Sequence, residues 1–183
     1  MIDPEFAFYG PMGFDTGAFL ANLLLAFFSM PGHAAPDGDY AEWLLAEISV
    51  FYNTFSSTFL QLWAQTSASG AGEAYRLGPF PDDASTAAAK QRYMAALWRD
   101  TVGFAGMKMI RRIVGIAHVA DLDEIADADV RATCEKRAIL LARQMVFFGA
   151  GSSSVSAAFA DISDLVNSAR KLAASDDLVY PSV

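Results

Sequence analysis

A mainly helical single domain is the fold class this sequence predicts, and three observations carry the prediction. Apolar residues recur three and four positions apart over several long segments, the spacing that puts them on one face of a helix. No run alternates apolar and polar residues long enough to build a sheet, the first few residues being the only strand candidate. The breaks between segments are rich in Gly, Pro, Ser and Asp, which end and start helices. With 54% of its 183 residues apolar, the chain can build a substantial core, and the length suits one domain spanning 1–183.

The first helix is expected over Thr16–Ser29, with Asp15 as its N-cap and Pro31-Gly32 as its stop. From Asp39 the apolar positions are Tyr40, Trp43, Leu44, Ile48, Phe51, Tyr52, Phe55, Phe59, Leu62 and Trp63, the clearest periodic signal in the chain. The stretch 67–83, SASGAGEAYRLGPFPDD, reads as a long loop. A third helix is expected from Ala84 through Trp98 to Ala117. Gly103, Gly106 and Gly115 fall inside it and suggest close helix packing or a break, since each glycine costs a helix about 1 kcal/mol against alanine. An acidic connection, His118–Asp129, offers Asp127 or Asp129 as N-cap for a fourth helix over Val130–Phe148 that closes at Gly149. GSSSVS is expected to cap a fifth helix whose apolar face is Val155, Ala158, Phe159, Ile162, Leu165, Val166, Ala169 and Leu172, with 175–183 as a frayed tail.

The formal charge of −8 argues against general binding to nucleic acid or to anionic membranes, both polyanions. The apolar run Ala18–Met30 is thirteen residues long and contains Asn22, short of the roughly 20 residues of a bilayer span, so a buried helix is expected and no membrane association. No basic region followed by a small-residue cleavage site precedes it, so no secretory signal is expected. Cys134 is the single cysteine, which excludes an intrachain disulfide and fits a reducing, cytoplasmic setting; it falls on an apolar helix face and reads as core. His33 and His118 are the only histidines and have no metal-ligand spacing; His33 is expected exposed in its turn, His118 near terminal carbonyls.

Two constellations could carry chemistry. Asp3 and Glu5 flank Pro4, which disfavours helix before it; in an extended backbone the two carboxylates share one side and suit a hard cation such as Mg²⁺. A solvated acidic terminus reads the same way. Lys90, Arg92, Arg99, Lys108, Arg111 and Arg112 form a basic stretch with Asp100 as its one acid. On a helix Lys108 lies one turn from both Arg111 and Arg112, a grouping suited to phosphate or polyhydroxyl ligands. The alternative is a solvated face that pairs with the acidic connection after His118.

The stretches IDPEFAFYGPMGFDTGAFLANLLLAFFS and LWRDTVGFAGMKMIRRIVGIAHVADLDEI strongly resemble the S-methyl-5-thioribose kinase family. That family lies within the aminoglycoside-phosphotransferase-like branch of the protein-kinase-like fold. The resemblance extends from Ile2 to about Val146 with the motifs in order, and DPE with GPMGFD followed by IRRIVGIAH is more specific than either alone. It implies a helical C-terminal lobe and transfer of the γ-phosphoryl of ATP to the 1-hydroxyl of 5-methylthioribose in methionine salvage. By the same resemblance Asp3 and Glu5 hold Mg²⁺ on the nucleotide, Arg111 and Arg112 contact the sugar and stabilise the transferring charge, and Asp15 braces the catalytic loop. Homodimerisation is a further family expectation.

The family's nucleotide-binding lobe and its HGD loop, which carries the base, come before DPE, and neither occurs in these 183 residues. The expectation is therefore a C-terminal part of such a kinase with no catalytic residue of its own, inactive alone. Two alternatives stand beside it: a non-catalytic helical binding or dimerisation module, and part of a related small-molecule kinase.

Overall fold

The computed structural model describes residues 9–33, 39–69, 82–152 and 159–175, and these contain helices and no strand. The order is α1 (Gly13–Ser29), a 3₁₀ turn (Met30–Gly32), α2 (Tyr40–Ser69), α3 (Asp83–Val114), the single turn α4 (Ala120–Asp123), α5 (Ala128–Gly149) and α6 (Ile162–Ala173). The mainly helical expectation holds.

The second half of α3 is the axis of the core. Leu20, Leu24, Leu25 and Phe28 of α1 and Cys134, Ala138, Leu141 and Met145 of α5 are buried together with its Val102, Ala105 and Met109. These spacings of three and four are what one helix face requires. Helix α1 runs alongside α3 in the same direction, since a side chain at Gly13 would meet Asp100 and Thr101, whereas one at Gly17 would meet Thr101 and Ala105. A Cβ on Gly17 would stand 2.5 Å from the Thr101 carbonyl oxygen, so only glycine permits this approach. The hydroxyls of Thr16 and Thr101 lie 2.8 Å apart inside that contact. Thr101 Oγ1 also reaches the Leu97 carbonyl at 2.8 Å and Thr16 Oγ1 the Met12 carbonyl at 3.3 Å, so either hydroxyl can donate across the interface. Helix α5 runs antiparallel to α3, with Gly103 against Gly149 and Gly106 against Ala142 and Met145. The close-packing reading of Gly103 and Gly106 is borne out.

The first half of α3 is held differently, by aromatic rings from α2. Tyr52 meets Trp98 at 4.4 Å, Phe59 stacks on Tyr93 at 5.9 Å, and Trp63 meets Tyr93 edge-on at 5.1 Å. Helix α6 closes the bundle through Ile162, Leu165, Val166 and Ala169, and its Arg170 forms a two-pronged bond to Glu42 of α2 at 2.8 and 3.2 Å.

Several local expectations change. Helix α1 starts at Gly13, so Asp15 is its third residue; the N-cap is Met12, with no side-chain cap bond. The Asp15 carboxylate still favours the helix through the positive end of its dipole. Helix α2 continues through Ser69, three residues into the expected loop; residues 70–81 of that loop lie outside the described residues. Helix α3 ends at Val114, with extended Gly115 as C-cap, so Gly115 ends the helix instead of lying inside it. Asp127 caps α5 by accepting from the amides of Asp129 and Val130, as expected, but α4 inside the acidic connection was not. Asp161 caps α6 through Ser163 and Asp164; Phe159 is buried in the turn before it, and residues 153–158 and 176–183 lie outside the described residues.

The predicted aromatic face of α2 also proves wider than the buried one. Leu44, Ile48, Tyr52 and Trp63 are buried, whereas Tyr40, Trp43 and Leu62 are 43%, 50% and 54% exposed. Gly13–Gly32 is apolar and long enough to cross a bilayer, yet its Leu20, Leu24, Leu25 and Phe28 face other helices of the core.

Candidate functional site

Arg111 and Arg112 stand in the last turn of α3, and Lys108, one turn before them, feels the charge of both. Cations at a helix C-terminus are favoured by the dipole, but three within one turn repel one another. The effect is visible at Lys108, where partial burial, then Arg112 and Arg111, lower the pKa below the ordinary lysine value. Arg112 donates through Nη1 to the Ala117 carbonyl at 3.1 Å, while its buried Nε has no partner. Arg111 is exposed. Among the described residues no carboxylate forms an ion pair with any of the three. Val114 and Ile116, 68% and 101% exposed, place apolar surface beside this charge.

The acidic connection does not neutralise the cluster. Its Asp123 faces His118 at 3.5 Å, and the Asp121 carbonyl meets His33 Nε2 at 2.6 Å. His33 is thereby half-buried, which corrects the expectation of an exposed side chain, and His118 interacts with a carboxylate instead of terminal carbonyls. Lys90 belongs elsewhere, its ammonium lying over the Trp63 ring at 5.3 Å. The basic stretch thus divides, and only Lys108, Arg111 and Arg112 converge.

Asp3 and Glu5 lie outside the described residues. Asp15 is exposed in the first turn of α1, whose start adjoins Asp100 and Thr101. Ten residues of helix separate Thr101 from Arg111, about 15 Å of rise, so Asp15 and the arginine pair are not brought together. Among the described residues no three His, Cys, Asp or Glu side chains gather as a metal site. Cys134 is buried, and burial raises its thiol pKa, in keeping with a core role.

Two concave regions were not foreseen. One is a cleft between α2, α3 and the start of α6, lined by Tyr52, Trp98, Arg99 and Phe148 among others. The other is an apolar groove along α1 and α2 that includes Phe19, Trp43, Val50, Phe51 and Leu62. Each draws residues from more than one helix, so periodicity along one helix could not reveal either.

Fold and charge together define a mainly-α lobe whose central helix ends in a cluster of three cations. No protein-family model matches the chain. It is 48% identical over 149 residues to methylthioribose kinase 1 of Oryza sativa subsp. japonica, a match covering 80% of the chain and 34% of that protein. Similarity to the methylthioribose kinase of Escherichia coli O45:K1 is 41% over 150 residues, covering 80% of the chain and 35% of the relative. For the methylthioribose kinase of Yersinia enterocolitica it is 37% over 156 residues, with 84% and 36% covered. Over about four fifths of its length the chain is similar to one segment of these methylthioribose kinases, and it spans about a third of the length of the curated relatives it matches.

Proposed function

We propose that this chain is the sugar-binding helical part of an ATP-dependent kinase that phosphorylates the 1-hydroxyl of 5-methylthioribose, a step of methionine salvage in the cytoplasm. The observation that carries the reading is the group Lys108, Arg111 and Arg112, held together without a neutralising carboxylate among the described residues. Such mutual repulsion is relieved by an anion, and guanidinium groups suit both a sugar's hydroxyls and a phosphoryl group in transfer. Arg111 and Arg112 are the substrate-binding pair. Exposed Val114 and Ile116 offer apolar contact to a thioether methyl. Similarity to proteins named methylthioribose kinases supports the same substrate.

Asp3 and Glu5 would hold Mg²⁺, since two carboxylates leave room for the phosphate and water ligands this ion prefers. Bound there, the ion neutralises charge on the nucleotide phosphates. Asp15 is a structural brace. With no HGD loop among the 183 residues, the chain alone is expected to transfer no phosphoryl group. Titration calorimetry of the chain with 5-methylthioribose tests the site. Binding that disappears in Arg111→Ala/Arg112→Ala supports it; a folded wild-type chain that ignores the sugar, or a double variant that binds it unchanged, refutes it.

A second reading, a helical module that associates without catalysis, is favoured by the exposed rings and side chains of Phe19, Trp43, Val50 and Leu62 around the apolar groove. Self-association in sedimentation that is abolished by Trp43→Glu, together with no sugar binding, would favour the module. Phosphorylation of a different sugar or an amino alcohol is the remaining alternative, separated by substrate profiling of a full-length enzyme.

A further inference from the structure

We propose that the cleft between α2, α3 and the start of α6 is a second ligand site, built for a small planar aromatic acid. At about 580 Å³ it falls within the range of small-molecule sites, roughly 300–1,000 Å³. Its apolar lining combines the edges of Tyr52, Trp98 and Phe148, each largely buried, with Met94, Ala95 and Ile162, and the Tyr52 and Trp98 rings lie 4.4 Å apart. Aromatic edges of this kind accept a flat ring at little conformational cost.

The polar groups around the cleft decide what the ring should carry. Trp98 Nε1 is already committed, donating to the buried Phe159 carbonyl at 2.8 Å. Asp161 brings a carboxylate to the lining, and its Oδ1 accepts from the amides of Ser163 and Asp164, which draws its charge toward the start of α6. Arg99 has no ion-pair partner among the described residues, and it is the one cation in the lining. Asn53 and Ser56 add neutral donors from α2. Burial pushes the Tyr52 phenol up to about 12, so it remains a proton donor at neutral pH. An unpaired guanidinium with neutral donors above aromatic walls complements a carboxylate attached to a planar ring.

The cleft is separate from the cluster at the end of α3. Arg99 and Lys108 are nine steps apart along the helix, about 13.5 Å of rise, so binding here does not depend on the kinase reading. The test is titration calorimetry of the 183-residue chain with 2-naphthoate, using uncharged 2-naphthamide as the control. Saturable one-site binding of naphthoate is expected. Arg99→Met should weaken it about tenfold, the scale of one charge-assisted hydrogen bond, and leave the amide unaffected. Ser56→Trp, which places an indole in the cleft, should abolish binding of both. No binding to the wild type, or unchanged binding to a folded Ser56→Trp chain, overturns the site. If Ser56→Trp does not fold, the indole N–H resonance of Trp98 decides: a shift on titration supports the site, and an unmoved resonance during saturable binding refutes it.

Discussion

The two halves of α3 are parts of one unbroken helix, yet opposite devices hold them. From Trp98 onward the helix is gripped on two sides by α1 and α5, through glycines that let backbones meet. Before Trp98 it is covered by the rings of Phe59 and Trp63, and Tyr93 stays half-buried. Backbone contact of the first kind has no slack, because a single added carbon meets a carbonyl oxygen. Ring contact of the second kind can readjust. The cation cluster stands at the end of the inflexible half, where its side chains are launched from a fixed backbone.

The largest effect should come where the halves join. Trp98→Ala removes a buried ring and leaves the Phe159 carbonyl without its donor, and a loss of about 4 kcal/mol is expected in urea denaturation. Next, Gly106→Val drives its Cβ to within 2.6 Å of the Ala142 carbonyl, for an expected cost of about 3 kcal/mol. In the ring-covered half, Tyr93→Ala should cost only about 1 kcal/mol by the same measurement. A Tyr93→Ala loss equal to that of Gly106→Val would break the distinction between the halves.

Smaller effects sharpen it. Lys108 is partly desolvated beside two guanidinium groups, so the folded chain holds its proton less tightly than the unfolded chain does. This penalty is present at neutral pH and fades as pH rises from the lowered folded value toward the unfolded value near 10.5. Lys108→Met should therefore raise Tm at pH 7 by about 1 °C, after allowance for solvent screening, while weakening sugar binding. A fall in Tm would show that the lysine is a stabilising element of the helix end. Tyr52 provides an alkaline check, since its stabilising contribution is complete below pH 10 and disappears as pH passes about 12. Stability curves of wild type and Tyr52→Phe should diverge across that window and nowhere below it.

Much of this architecture was legible beforehand. The stripes of α1, α5 and α6 follow spacings of three and four, and Gly103 and Gly106 announced a close approach whose partner they did not name. Arg111 and Arg112 could be placed one turn from Lys108 because helical pitch is local geometry. Asp161 was missed as a cap because serines nearer the preceding glycine have the same capping chemistry. The cleft was invisible, since Tyr52, Trp98 and Phe148 belong to three different helices.

What the sequence determined by itself was the helical class, the order of the long helices, the one-turn spacing of the three cations and the similarity to methylthioribose kinases. Each depends on periodicity, pitch or motif order, which are properties of neighbours along a chain. Only the tertiary structure decided that Trp98 is buried while Trp43 is half exposed, that the acidic connection meets the histidines and not the arginines, and that Arg99 overlooks an aromatic cleft. Burial and ion pairing are set by whichever surface arrives from elsewhere in the fold, and no local pattern encodes that arrival.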